Sequence, residues 1–147
     1  MTTYTTHNDQ FVALNVAVLI PTYNNATTIG AVLKDVLSYT THVIVVNDGS
    51  TDNTSEILNN FPQIQRVEYA KNRGKGLALR RGFKFAVRQG YDYVITIDSD
   101  GQHFASDLPL FLSSIQPVVA NPAIPTGNNR FNVISGSIFI MPTSSRI

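Results

Sequence analysis

Cysteine is absent from these 147 residues, so neither a disulfide nor a thiolate metal site can form, and the redox compartment stays open. Charge is sparse: 11 Lys and Arg against 10 Asp and Glu leave a formal net charge of +1. No dense basic stripe accompanies that balance, so nucleic acid is not expected as a partner. No apolar run is long enough to cross a membrane. Met1 to Gln10 are polar and carry no apolar signal core, so a standard secretory leader is not expected. Several catalytic motifs are missing as well. Gly74-Lys75-Gly76-Leu77-Ala78-Leu79 lacks the third glycine of a dinucleotide fingerprint and follows a loop rather than the first strand. There is no Gly-Lys-Ser/Thr loop, no nucleophile elbow and no histidine pair at helical spacing. These absences remove hydride transfer, ATP hydrolysis and serine hydrolysis from consideration.

What is present is a chain 43% hydrophobic and 14% charged, which fits one globular domain with a real core and no internal repeat. Val16-Ala17-Val18-Leu19-Ile20 reads as a buried strand stopped by Pro21, with a polar loop from Thr22 to Asn25. Ile29, Val32, Leu33, Val36 and Leu37 then recur at helical spacing. Val43 to Val46 is a second strand, ending at Asn47-Asp48-Gly49-Ser50. Thr51 to Asn60 reads as a short helix, with Asn53 and Glu56 as its start signal. Arg66 to Tyr69 is a third strand, and Lys75 to Gln89 a long helix stopped by Gly90. Tyr93 to Ile97 is a fourth strand, and Leu108 to Ile115 another helix. Strands alternating with helices predict an α/β domain, and continuous apolar strands predict a mainly parallel sheet flanked by helices on both faces.

Parallel sheets bind ligands beyond the carboxyl ends of their strands. Three polar clusters fall there: Pro21-Thr22-Tyr23-Asn24-Asn25, Asn47-Asp48-Gly49-Ser50 and Asp98-Ser99-Asp100. In extended backbone Asp98 and Asp100 would face the same side. Two carboxylates that close repel each other unless a cation or ligand sits between them. Gly101 allows a turn and Gln102 adds a third oxygen, a set suited to Mg²⁺ or Mn²⁺ held jointly with substrate phosphates.

Val18-Leu19-Ile20-Pro21-Thr22-Tyr23-Asn24, Val46-Asn47-Asp48-Gly49-Ser50-Thr51-Asp52, Asn72-Arg73-Gly74-Lys75-Gly76 and Asp98-Ser99-Asp100-Gly101-Gln102-His103 together resemble family 2 glycosyltransferases of the GT-A fold. The Asp-Gly-Gln-His ending is most similar to the branch that makes polyprenyl-phosphate sugars. The resemblance covers roughly Val16 to Ile115. It implies a nucleotide-sugar donor site in which Pro21, Tyr23 and Asn24 flank the base and Asp48 bonds the base or ribose. Lys75, and with it Arg73, would lie near the diphosphate. Asp98 would touch the ribose or metal, while Asp100 and Gln102 would hold Mg²⁺ or Mn²⁺; His103 has no assigned role. Asp98 and Asp100 would be the catalytic pair, assisting an inverting displacement. The acceptor implied is a sugar, a lipid phosphate or a polysaccharide. A cytoplasmic location follows, with peripheral membrane contact if the acceptor is a lipid.

Two departures stand out. Asn25 and Asn47 occupy places where many relatives carry Glu and Asp, a loss of charge expected to alter base or sugar preference rather than fold. From Pro117 onward prolines and asparagines cluster, and Gly127-Asn128-Asn129-Arg130 reads as loop. Residues 16–116 are thus expected to form the donor-binding half, with 1–15 a polar lead and 117–147 an atypical tail of a truncated or frame-disrupted member. A non-catalytic nucleotide-sugar-binding fragment is the alternative. A nucleotidyltransferase ranks last, because Pro21 to Asn25 contains no glycine.

Overall fold

The computed structural model describes residues 5–102, 105–115, 132–134 and 138–142. In chain order these form α1 (His7–Leu14), β1 (Val16–Thr22), α2 (Ile29–Leu37), β2 (Val43–Asp48), α3 (Thr54–Leu58) and β3 (Gln65–Tyr69). Next come α4 (Lys75–Arg88), β4 (Tyr93–Thr96), a 3-10 turn at Ala105–Asp107, α5 (Leu108–Ser114), β5 (Asn132–Ile134) and β6 (Ile138–Pro142). The sheet order is β3-β2-β1-β4-β6-β5. The first four strands pair in parallel, as expected, and β6 adds antiparallel to β4 and to β5.

The strands β1 and β2 are buried along their full lengths, as strands covered on both faces must be. Successive residues serve opposite faces: Val16, Val18 and Ile20 join one core cluster, Ala17 and Leu19 the other. The larger cluster is roofed by α2 (Ile29, Val32, Leu33, Val36) and α5 (Leu108, Phe111, Leu112). The smaller lies under α4, whose buried residues Ala78, Gly82 and Ala86 are all small. A β-carbon on Gly82 would come within 2.4 Å of a Leu19 methyl, so glycine is what lets this helix lie so close to β1.

Several bounds differ from the sequence reading, β2 for one running on to Asp48. The lead segment contains α1, which buries Phe11 and Leu14 and is capped where the Thr6 hydroxyl accepts the Asp9 N–H at 3.1 Å. Strand β1 continues through Pro21 to Thr22. Pro21 pairs with Val46 and lies beyond the last β1–β4 rung, Leu19–Thr96, so its missing N–H removes no ladder bond. Helix α3 is shorter than expected, and Asn53 makes no side-chain cap bond. Asp52 does that work one residue earlier, accepting the Thr54 N–H at 2.9 Å and its hydroxyl at 2.6 Å. Finally, β4 ends at Thr96, so Asp98 to Asp100 lie past the strand, with Ser99 and Asp100 in a turn. Alternation along an extended strand is therefore not what brings the two carboxylates together. In the C-terminal region, β5 and β6 fall within the span expected to be an atypical tail, while the Gly127–Arg130 segment lies outside the described residues.

Candidate functional site

Parallel strands end on one edge, so the loops after β1, β2 and β4 converge there, joined by the segment entering α4. They enclose a cavity of about 390 Å³. Its walls are Pro21 and Thr22 from the end of β1, Tyr23 and Asn25 from the loop that follows, Asp48 from the end of β2, Asn72, Gly74, Lys75 and Ala78 from the entry to α4, and Asp98, Ser99 and Asp100 from the acidic turn. Of the residues singled out by sequence, Pro21, Tyr23, Asp48, Lys75, Asp98 and Asp100 are brought together here. Asn24, Gln102 and Arg73 are not among the lining residues, and His103 lies outside the described residues.

Asp48 is only 2% exposed, and its carboxylate is engaged by the chain's own backbone. The Arg73 N–H donates to both oxygens at 3.2 Å and the Gly74 N–H to one at 2.9 Å. Asp48 thereby ties the entry of α4 to the end of β2. Gly49, at φ +71°, makes that approach possible: a β-carbon there would sit 2.4 Å from the Asn72 backbone nitrogen. Asn47, at 3% exposure, turns inward as well, its amide donating to the Ser55 hydroxyl at 2.8 Å and its oxygen accepting the Ser50 N–H at 3.3 Å. Its lost charge, relative to an aspartate, thus falls outside the cavity lining.

The first loop is clipped in two places. Asn24, at φ +52°, accepts the N–H groups of Thr51 and Asp52 at 2.7 and 3.2 Å, and its own N–H donates to the Ser50 hydroxyl at 3.0 Å. Asp52 accepts the Ala26 N–H at 3.1 Å. The Thr54 hydroxyl, helped by backbone N–H groups, holds the Asp52 carboxyl below its ordinary value and outweighs the small opposing effect of burial.

Asn25 is the side chain that sequence reasoning undervalued. Its oxygen accepts the Ser99 hydroxyl at 2.7 Å, the Thr22 hydroxyl at 3.2 Å and the Tyr23 N–H at 3.2 Å, so it couples the first loop to the acidic turn. The Thr28 hydroxyl fixes the same turn by donating to the Ser99 carbonyl at 2.6 Å. The only signal in the sequence was the Asn25 departure itself.

The acidic turn is held differently. Lys75 Nζ stands 2.5 Å from an Asp98 oxygen, with Lys75 60% and Asp98 20% exposed at the side chain. Asp100 is exposed and accepts the Gln102 N–H at 3.0 Å. Among the described residues no three acidic or histidine side chains cluster closely enough to hold a metal unaided. Two hard carboxylates beside an open cavity do fit Mg²⁺ or Mn²⁺, which complete their shells with waters and substrate phosphates. The helix α4 begins at this rim, and its first-turn amides have no intrahelical acceptor, a favourable setting for an anion.

A family model described as Glycosyl transferase family 2 matches residues 17–138. The poly-beta-1,6-N-acetyl-D-glucosamine synthase of Staphylococcus epidermidis is 35% identical over 123 residues, 78% of this chain and 28% of that protein. The dolichyl-phosphate beta-glucosyltransferase of Saccharomyces cerevisiae is 30% identical over 118 residues, 69% of this chain and 34% of that one. An uncharacterised protein of Methanocaldococcus jannaschii is 37% identical over 109 residues, 70% of this chain and 48% of that protein. The chain therefore spans less than half the length of each of these curated relatives. Among solved structures, glucosyl-3-phosphoglycerate synthase from Mycobacterium tuberculosis, in complex with Mn²⁺, UDP and glucosyl-3-phosphoglycerate, aligns with a TM-score of 0.58 at 24% identity. That alignment covers 73% of this chain and 41% of the other, and it shows a shared fold, the GT-A arrangement.

Proposed function

The chain belongs to glycosyl transferase family 2, and we propose that its cavity binds a UDP- or GDP-sugar together with Mg²⁺ or Mn²⁺ for transfer of the sugar to an acceptor. The observation that carries this reading is the meeting of Lys75, Asp98 and Asp100 at one cavity rim, a cation and two carboxylates where a diphosphate and its metal would lie. Pro21 and Tyr23 offer flanking surface for the base, Tyr23 being 46% exposed. Asn24 shapes that loop from outside, and Asp48 sets the position of the α4 entry while keeping an edge on the cavity. Asp98, Asp100 and Gln102 would hold the metal, and the Gln102 N–H would also steady Asp100. A bound divalent cation supplies Lewis-acid stabilisation of charge growing on the diphosphate, worth several kcal/mol.

The proposed reaction is an inverting displacement. The acceptor oxygen bonds the anomeric carbon as the bond to the diphosphate oxygen breaks, and the nucleoside diphosphate leaves with that electron pair. Lys75 is placed to hand its charge from Asp98 to the departing diphosphate. A polyprenyl phosphate is the proposed acceptor, supported by the likeness to the yeast dolichyl-phosphate enzyme. Such an acceptor is already an anion and needs no strong general base. Work at the cytoplasmic face of a membrane follows from the same proposal.

Calorimetric titration with UDP and GDP, with and without Mn²⁺, tests the donor site. Metal-dependent binding is expected. A folded chain that binds neither nucleotide in the presence of Mn²⁺ contradicts the proposal, and binding without any sugar transfer would favour a non-catalytic donor-binding fragment.

A further inference from the structure

The near-zero net charge hides a strong local asymmetry. The 14 residues of α4 carry five of the chain's 11 Lys and Arg and no Asp or Glu. While Ala78, Gly82 and Ala86 face the sheet, the outer side carries Arg80, Lys84 and Arg88, all exposed and four residues apart. Leu79, Phe83 and Val87 form a stripe beside them at the same spacing, Leu79 and Phe83 partly buried against the core and Val87 48% exposed. Together these side chains border an open groove of about 680 Å³ along the helix. The groove begins at Gly76, directly after Lys75, so it adjoins the rim of the donor cavity.

An apolar stripe beside a basic one, on a helix without one acidic residue, matches the chemistry of an anionic lipid surface. There the basic heads meet phosphate groups and the apolar side chains enter the headgroup boundary. We propose that the outer face of α4 is a docking strip for an anionic membrane, set so that the mouth of the donor cavity lies near the bilayer. The exposed Val87, with the accessible edges of Leu79 and Phe83 along the same groove, favours lipid over nucleic acid, since a phosphate backbone alone would need only the cations. The strip does not rest on the donor-site reading, because lipid binding needs neither nucleotide nor metal.

The test is co-sedimentation of the full chain with vesicles of phosphatidylcholine alone and of equimolar phosphatidylcholine and phosphatidylglycerol. Binding is expected only to the anionic vesicles and should weaken as salt is added. Each basic residue removed should lower partitioning about fivefold, and the triple variant Arg80→Gln/Lys84→Gln/Arg88→Gln on the order of a hundredfold. These side chains are exposed, so the triple variant should keep the wild-type circular dichroism spectrum and metal-dependent nucleotide affinity. As a second, single-site variant, Val87→Glu should also weaken anionic-vesicle binding. No binding to anionic vesicles, equal binding by the triple variant, or tighter binding to duplex DNA than to vesicles would each overturn the proposal.

Discussion

Asp48 and Asp100 line the same cavity, yet one is 2% exposed with backbone N–H groups on both oxygens while the other sits exposed at a turn with a single N–H on one oxygen. The side built from Asn24, Asp48, Asn47 and Asp52 uses its polar groups to tie loops to one another. On the opposite side Lys75 pairs with the half-buried Asp98 and Asp100 accepts the Gln102 N–H, in a turn fixed at Ser99 by Asn25 and Thr28. The Lys75 side chain is 60% exposed, and an ion pair with one partner in solvent contributes only roughly 0–1 kcal/mol, so a ligand can compete for that lysine at little cost. Within one site, then, Asp48 is committed to the frame, whereas Asp100 stands exposed at the cavity.

The frame should break first and hardest. Gly49→Ala forces a side chain into the left-handed region and a β-carbon onto the backbone of Lys71 and Asn72. A loss of about 3 kcal/mol or more in urea unfolding is expected. Asp48→Ala leaves the Arg73 and Gly74 N–H groups without their acceptor and should cost about 2–3 kcal/mol in the same measurement. Asp100→Asn inverts the pattern. Stability should stay within about 0.5 kcal/mol of wild type, while Mn²⁺-dependent nucleotide affinity falls at least about tenfold, or ~1.4 kcal/mol. The smallest effect belongs to Asp52. Because its folded carboxyl is held below the ordinary 3.8, its clip is present above that value and is lost as pH falls through the lower folded one. Hydrogen exchange at the Ala26 and Thr54 amides should accelerate there in wild type, and Asp52→Asn should remove that pH dependence.

The sheet was legible because β1 and β2 are continuous apolar runs, and parallel strands all deliver their polar ends to one edge. Pro21, Tyr23, Asp48, Asp98 and Asp100 could therefore be placed together without knowing any loop geometry, while Lys75 was placed there only by the family resemblance. Loop geometry itself was not legible. Nothing local tells that Asn25 rather than Asn24 lines the cavity, since both are polar and loops have no periodicity. The partners of Asp48 lie 25 and 26 residues away in sequence, so its structural work is invisible until the chain is folded. Helix α1 was missed because only two of its residues are buried, although Thr6 followed by Asp9 is a cap signature. The basic strip on α4 was hidden by a chain-wide charge count that cancels to +1.

The division between frame and chemistry is tested most directly by measuring UDP and GDP affinity with Mn²⁺, alongside urea midpoints, in wild type, Asp48→Asn and Asp100→Asn. The account predicts that Asp48→Asn lowers the midpoint, whereas Asp100→Asn keeps the wild-type midpoint and loses metal-dependent binding. An Asp100→Asn protein that binds nucleotide with Mn²⁺ as tightly as wild type, or an Asp48→Asn protein of unchanged stability, would contradict it.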